Sequence, residues 1–151
     1  MINYLSDQFA YTEWANHTLF ETVADLESKD LQLPRLCAHI VNAQRIWLHR
    51  VHHEPAGFKV WDTMPVSESL QKNKESIQEW QDYLQRLPEG GLHQMVRFTS
   101  PKGESIEFSV ERIIRQLHLH GAYHRGQIAI LLRSFTSKIP ATDYLKYNLN
   151  I

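Results

Sequence analysis

Val110-Glu111-Arg112-Ile113-Ile114-Arg115-Gln116-Leu117-His118-Leu119-His120-Gly121-Ala122-Tyr123-His124-Arg125-Gly126-Gln127-Ile128 is the stretch whose reading decides the fold. Val110, Ile113, Ile114, Leu117, Gly121, His124, Ile128, Leu131 and Leu132 recur at three- and four-residue steps, which gives one wide apolar helical face. Ser109 is placed to cap that helix, expected over 110–134, with Glu111 and Arg112 in its first turn. His120 and His124 stand four residues apart, about 40° around the helix axis. Two imidazoles so placed can bind one metal ion.

The rest of the chain supplies partners for this helix. Residues 2–27 carry Leu5, Phe9, Thr12, Leu19, Phe20 and Val23 at helical spacing, and end in the polar run Leu26-Glu27-Ser28-Lys29-Asp30. Residues 35–53 form a second helix, with Pro34 in its first turn and a stripe of Leu36, Ile40, Ala43, Trp47 and Arg50. His39 borders that stripe. Pro55, Gly57 and Pro65 make 54–66 a loop, and its aromatic pair Phe58 and Trp61 predicts that it folds back onto the bundle. Ser67 is the expected cap of a thinner helix over 68–87, which Pro88-Glu89-Gly90-Gly91 stops. Met95–Thr99 and Ser105–Phe108 alternate around a turn and read as a hairpin. The tail Ile139-Pro140-Ala141-Thr142-Asp143-Tyr144 is expected to lie extended on the bundle. The predicted architecture is all-α, one four-helix-bundle domain over 1–151 with a small β-hairpin before the last helix.

Composition narrows the function. The chain has 151 residues, 42% apolar and 22% charged, and a net charge of −1, so nothing basic points to nucleic acid or an anionic membrane. The N-terminus lacks the pattern of a secretion signal, and Cys37 is the only cysteine, so the expected location is cytoplasmic. Cys37 reads as a buried structural residue.

Nine histidines must be placed. His120 and His124 alone could be core-edge residues satisfied by hydrogen bonds. Gly121 lowers the bulk between them, so another helix or a ligand can approach. Gly126, also in mid-helix, costs roughly 1 kcal/mol against alanine and needs a packing reason. His39 supplies a third nitrogen if its helix is adjacent. Three protein ligands with an open position is the pattern of catalytic zinc. The rivals are weaker. His49, His52 and His53 sit at a helix end beside Glu54, His118 falls on a different face from His120, His17 is expected to pair with Glu13, and His93 lies in a turn. No Glu-x-x-His pair or His-Glu-x-x-His motif occurs, which disfavours ferritin-like di-iron and metalloprotease chemistry.

Three segments carry a resemblance to the DinB-like family of metal-dependent enzymes. They are Tyr11-Thr12-Glu13-Trp14-Ala15-Asn16, His39 to Leu48, and above all His120-Gly121-Ala122-Tyr123-His124-Arg125-Gly126-Gln127. Thr142-Asp143-Tyr144 resembles the family's terminal segment. The resemblance covers nearly the whole chain. It implies a bundle that holds a divalent transition metal, zinc or nickel, through His39, His120 and His124, and a homodimer. Characterised relatives include thiol S-transferases that use low-molecular-weight thiols. Two positions depart from the pattern: Gln116 stands where many members have histidine, and Leu119 where many have asparagine.

The resulting expectation is a metal-dependent enzyme. With a thiol in the open position the site suits S-transfer to an electrophile, and with water it suits hydrolysis. Gln116 and Tyr123 are the candidates for orienting ligand or substrate. Arg125 is expected to pair with a carboxylate at the helix surface or a dimer contact, and Gln127 to bond a backbone group or a partner subunit. The alternative is a non-catalytic bundle, either a metal-stabilised dimer or a small-molecule-binding stress protein.

Overall fold

The computed structural model describes residues 1–26, 30–100 and 102–147. In chain order it contains α1 (Ile2–Ala24), α2 (Gln32–Val51), α3 (Val66–Arg86), a 3-10 turn at Gly91–His93, β1 (Met95–Thr99), β2 (Ser105–Ser109), α4 (Val110–Leu132) and a second 3-10 turn at Tyr144–Lys146. The expected all-α bundle with one hairpin before the last helix is present. β1 and β2 pair antiparallel, from Met95 opposite Ser109 to Thr99 opposite Ser105.

Around the bundle the helices follow the order α1, α3, α2, α4, so that α1 and α2 lie across a diagonal. Helices consecutive in sequence are therefore not all neighbours. This arrangement sets α2 directly against α4 and brings His39 to the His120 and His124 face.

Two apolar clusters fill the interior. One gathers Leu5, Phe9, Leu48, Trp80, Leu84, Ile113 and Ile114. The other gathers Leu19, Phe20, Leu33, Cys37, Ile40, Ile128 and Leu132. Between them, in sequence position on every helix, runs a layer of buried polar groups: Thr12 and Asn16, Gln44, Asn73 and Ser76, and Arg125. Burying such groups is costly unless they are hydrogen-bonded. Here Arg125 Nη1 donates to Asn16 Oδ1 (3.0 Å), and Asn16 Nδ2 donates to Asn73 Oδ1 (2.8 Å). Ser76 Oγ donates to Gln44 Oε1 at 2.9 Å, so side-chain bonds tie all four helices at this level.

Several local expectations change. α2 starts at Gln32, so Pro34 sits inside its first turn, where a missing N–H is tolerated. α3 begins at Val66 after Pro65, and Ser67 lies within the helix instead of capping it. Ser109 does cap α4, accepting from Arg112 N at 3.3 Å. α1 ends at Ala24, short of the expected 27, and residues 27–29 lie outside the described residues. His17 pairs with Glu21 one turn later, at 3.1 Å, rather than with Glu13. The tail does pack on α1: Tyr11 Oη donates to the Thr142 carbonyl, and Tyr144 Oη to Asp7. No helix among the described residues is long and apolar enough to cross a membrane.

Candidate metal centre

His39 comes from the middle of α2, His120 and His124 from successive turns of α4. Their Nε2 atoms converge: His39 lies 2.9 Å from His120 and 3.1 Å from His124. His39 and His124 are buried and His120 is half-buried. Among the described residues this is the one group of histidine, cysteine or carboxylate side chains placed to hold a metal ion.

The outer nitrogens set the ring orientations. His39 Nδ1 lies 3.2 Å from the Val60 carbonyl, which can only accept, so Nδ1 carries the hydrogen and Nε2 presents a lone pair. His124 Nδ1 lies 2.7 Å from Gln127 Oε1, with the same consequence. Two lone pairs at 3.1 Å repel unless a proton or a cation lies between them. Burial first, and then His124, holds His39 down to about 4, so a proton is disfavoured near neutrality. Burial, followed by His124 and His39, likewise pushes His120 down to about 4. A metal cation satisfies the whole donor set. With metal–nitrogen bonds of about 2.0–2.1 Å, imidazole nitrogens at right-angled to tetrahedral positions stand about 2.8–3.4 Å apart, and the two separations from His39 Nε2, 2.9 and 3.1 Å, fall in that range.

A loop roofs the site. Residues 52–65 leave α2 through His53, whose φ of 59° turns the chain sharply after the helix. Asn42 Nδ2 pins the loop by donating to the Asp62 carbonyl at 2.8 Å, and Arg45 lies over the Phe58 ring at 4.1 Å. This brings Val60 to His39 and stacks Trp61 flat on the His39 ring, centroids 3.6 Å apart. Phe58 and Trp61 thus fold back as expected.

Two clefts of about 580 Å³ flank the centre. One opens on His120 and is lined by Gln116, Trp47, Arg50 and Phe58. The other opens on His124 and is lined by Arg35, Trp61, Tyr123, Gln127 and Ile130. Gln116 is exposed on the first cleft, and Tyr123 is exposed on the second with its ring 5.0 Å from that of His124.

Two signature residues differ from expectation. Arg125 is not at the surface but buried in the polar layer, and Gly121 makes room for it: a Cβ there would meet Arg125 Nη1 at 3.1 Å. Gln127 turns inward to His124 rather than to a backbone group or a partner. The i, i+3 spacing of His124 and Gln127 was the available signal. Val60 and Trp61 as site residues had none, because a loop's return path is not periodic.

The DinB family model matches residues 1–150. The chain belongs to the DinB family. It is 23% identical over 159 residues to protein DinB of Bacillus subtilis (strain 168), covering 92% of this chain and 90% of that one. Its fold resembles the crystal structure of a DinB-like protein from Bacillus cereus ATCC 10987, with a TM-score of 0.67, 17% identity, and 91% and 94% of the two chains covered. Within this DinB-family chain, the Trp14-Ala15-Asn16 and His-Arg-Gly-Gln segments meet physically, through the bond from Arg125 to Asn16.

Proposed function

We propose that the protein is a metal-dependent enzyme in which His39, His120 and His124 hold a divalent transition metal, zinc or nickel, and leave a coordination position for substrate. The supporting observation is the convergence of three imidazole rings between two open clefts, with the Nε2 lone pairs of His39 and His124 set from behind by Val60 and Gln127. A cation held by three neutral imidazoles keeps its charge and lowers the pKa of a bound water or thiol.

The chain's own residues do the remaining work. The Val60 carbonyl and Gln127 keep Nε2 of His39 and His124 free of protons. Trp61 shields the His39 ring from water on one side. Gln116 orients a ligand from the His120 cleft through its amide, and Tyr123 orients one from the other cleft through its hydroxyl. Two clefts meeting at one centre suit a reaction of two substrates, so S-transfer from a small thiol to an electrophile is the first reading and hydrolysis the second.

A homodimer is part of the proposal. Leu119, Tyr123 and Ile130 are 69%, 66% and 65% exposed along one stripe of α4. A Cβ on Gly126, within that stripe, would meet nothing within 4 Å, so its packing reason is not internal. A second copy seated there would supply it. A free buried thiol such as Cys37 suits a reducing cytoplasm.

The test is an activity screen on zinc- and nickel-loaded protein, with bacillithiol and glutathione as thiols against a generic electrophile. Turnover lost in His120→Ala is expected. Absence of turnover with every thiol, and of hydrolysis of generic esters, favours the metal-stabilised, non-catalytic bundle.

A further inference from the structure

Arg50 is a charged residue whose environment neither the bundle nor the metal centre explains. It stands eleven residues after His39 on α2, three turns along the same face, an axial rise of about 16 Å. Its guanidinium is half-buried against an edge-to-face pair of aromatic rings, 4.4 Å from the Trp47 centroid and 4.2 Å from that of Phe98, the two centroids being 5.1 Å apart. Among the described residues it makes no ion pair and no side-chain hydrogen bond. Burial pushes its pKa below the ordinary value, the cost of half-desolvating a cation without a counter-charge. The two rings fix the guanidinium, and its donors are unused.

Those donors border the cleft that opens on His120. Lys59 lines the same cleft, and its ammonium has no ion pair among the described residues. Glu54, at the rim, lies 3.6 Å from His49. Arg50, Lys59 and Glu54 together leave the cleft one positive charge, which matches a monoanion better than a dianionic phosphate. A rigid guanidinium fork recognises carboxylate through paired hydrogen bonds. The walls between Arg50 and the histidines are apolar: Ala43, Ile46, Trp47 and Phe58. The hairpin acquires a purpose here, because Phe98 on β1 supplies one ring of the pair on which the guanidinium rests.

We propose that Arg50 anchors the carboxylate of an extended organic-acid substrate whose apolar body lies along α2 and whose reacting end reaches the His39, His120 and His124 centre. The reacting-end statement rests on the metal-enzyme reading; the carboxylate anchor does not.

The test compares 3-phenylpropionate with its neutral isostere 3-phenylpropionamide, by NMR titration of metal-free and zinc-loaded protein. The carboxylate is expected to bind about ten-fold tighter than the amide in both forms. Arg50→Gln removes that preference, whereas Arg50→Lys, which keeps a cation against the two rings and serves as the check on folding, retains part of it. Equal affinities in metal-free wild type overturn the anchor, as does a preference unchanged in Arg50→Gln. A preference confined to zinc-loaded protein assigns the carboxylate to the metal and also overturns it. Failure of zinc to bind sinks the metal reading and leaves the metal-free comparison to decide the anchor.

Discussion

Arg125 Nη1 on α4 donates to Asn16 Oδ1 on α1 across 3.0 Å, in the polar layer between the two apolar clusters. Among the described residues no carboxylate neutralises this guanidinium; Asn16 and, at 3.4 Å, the Tyr11 hydroxyl are its partners. Asn16→Ala removes the shorter of the two bonds to a buried cation and leaves the Asn73 side-chain oxygen without its donor. A loss of roughly 3 kcal/mol is expected in urea unfolding, while metal affinity of the folded fraction changes less than about three-fold. A larger effect on metal affinity than on stability would move this pair from the scaffold into the metal site.

Gln127 tests the opposite assignment. Its Oε1 holds His124 Nδ1 at 2.7 Å, so Gln127→Leu frees the ring to turn and to change tautomer. Metal affinity should fall about 10–100-fold, with unfolding free energy within about 1 kcal/mol of wild type. Gln127→Glu should retain the affinity, because a carboxylate accepts the same bond. Competition with a chromogenic chelator reads both variants.

The two mid-helix glycines of α4 should respond differently. At Gly126 a methyl meets nothing, so Gly126→Ala should raise monomer stability by about 0.5–1 kcal/mol through helix propensity alone. At Gly121 the methyl presses on the hydrogen-bonded guanidinium of Arg125, which offsets that gain. Gly121→Ala should therefore be the less stable of the two by about 1 kcal/mol. If the outer face of α4 seats a second copy, Gly126→Ala also weakens the dimer in sedimentation.

Acid should destabilise the metal-free protein in a defined window. Burial, and then the charge of Arg125, holds His118 down to about 4, and His39 and His120 are held down to about 4 by burial and their neighbours. In the unfolded chain each takes up its proton near 6.5. Between those values the unfolded state binds more protons, so stability is present above pH 6.5 and is lost as pH falls towards 4. The urea midpoint should drop across that interval, and His118→Asn should make the drop shallower. A midpoint flat from pH 6.5 to 4 would contradict the burial of these rings.

The sequence displayed the helices, the hairpin and the Ser109 cap because each rests on local periodicity or turn chemistry. His120 and His124 were legible for the same reason, sharing one helix. That His39 meets them depends on α2 packing against α4 across a bundle whose first two helices are diagonal, and periodicity does not encode neighbour order. Arg125 misled because a charged residue beside a histidine pair normally faces water; its burial depends on Asn16, more than a hundred residues away. Ser67 misled because Pro65 is an equally good place to begin a helix. The Val60 carbonyl and the Trp61 stack belong to a loop pinned by Asn42, a tertiary contact without local signature.

Metal stoichiometry and affinity of wild type against His39→Ala and His120→Ala test the central claim most directly. Elemental analysis and calorimetric titration with zinc and nickel should give about one ion per wild-type chain, by the three-histidine logic of such sites, and at least a hundred-fold weaker binding in each variant with the helical fold retained. Wild-type protein that carries no metal and takes none up, or variants that bind as tightly as wild type, would contradict it.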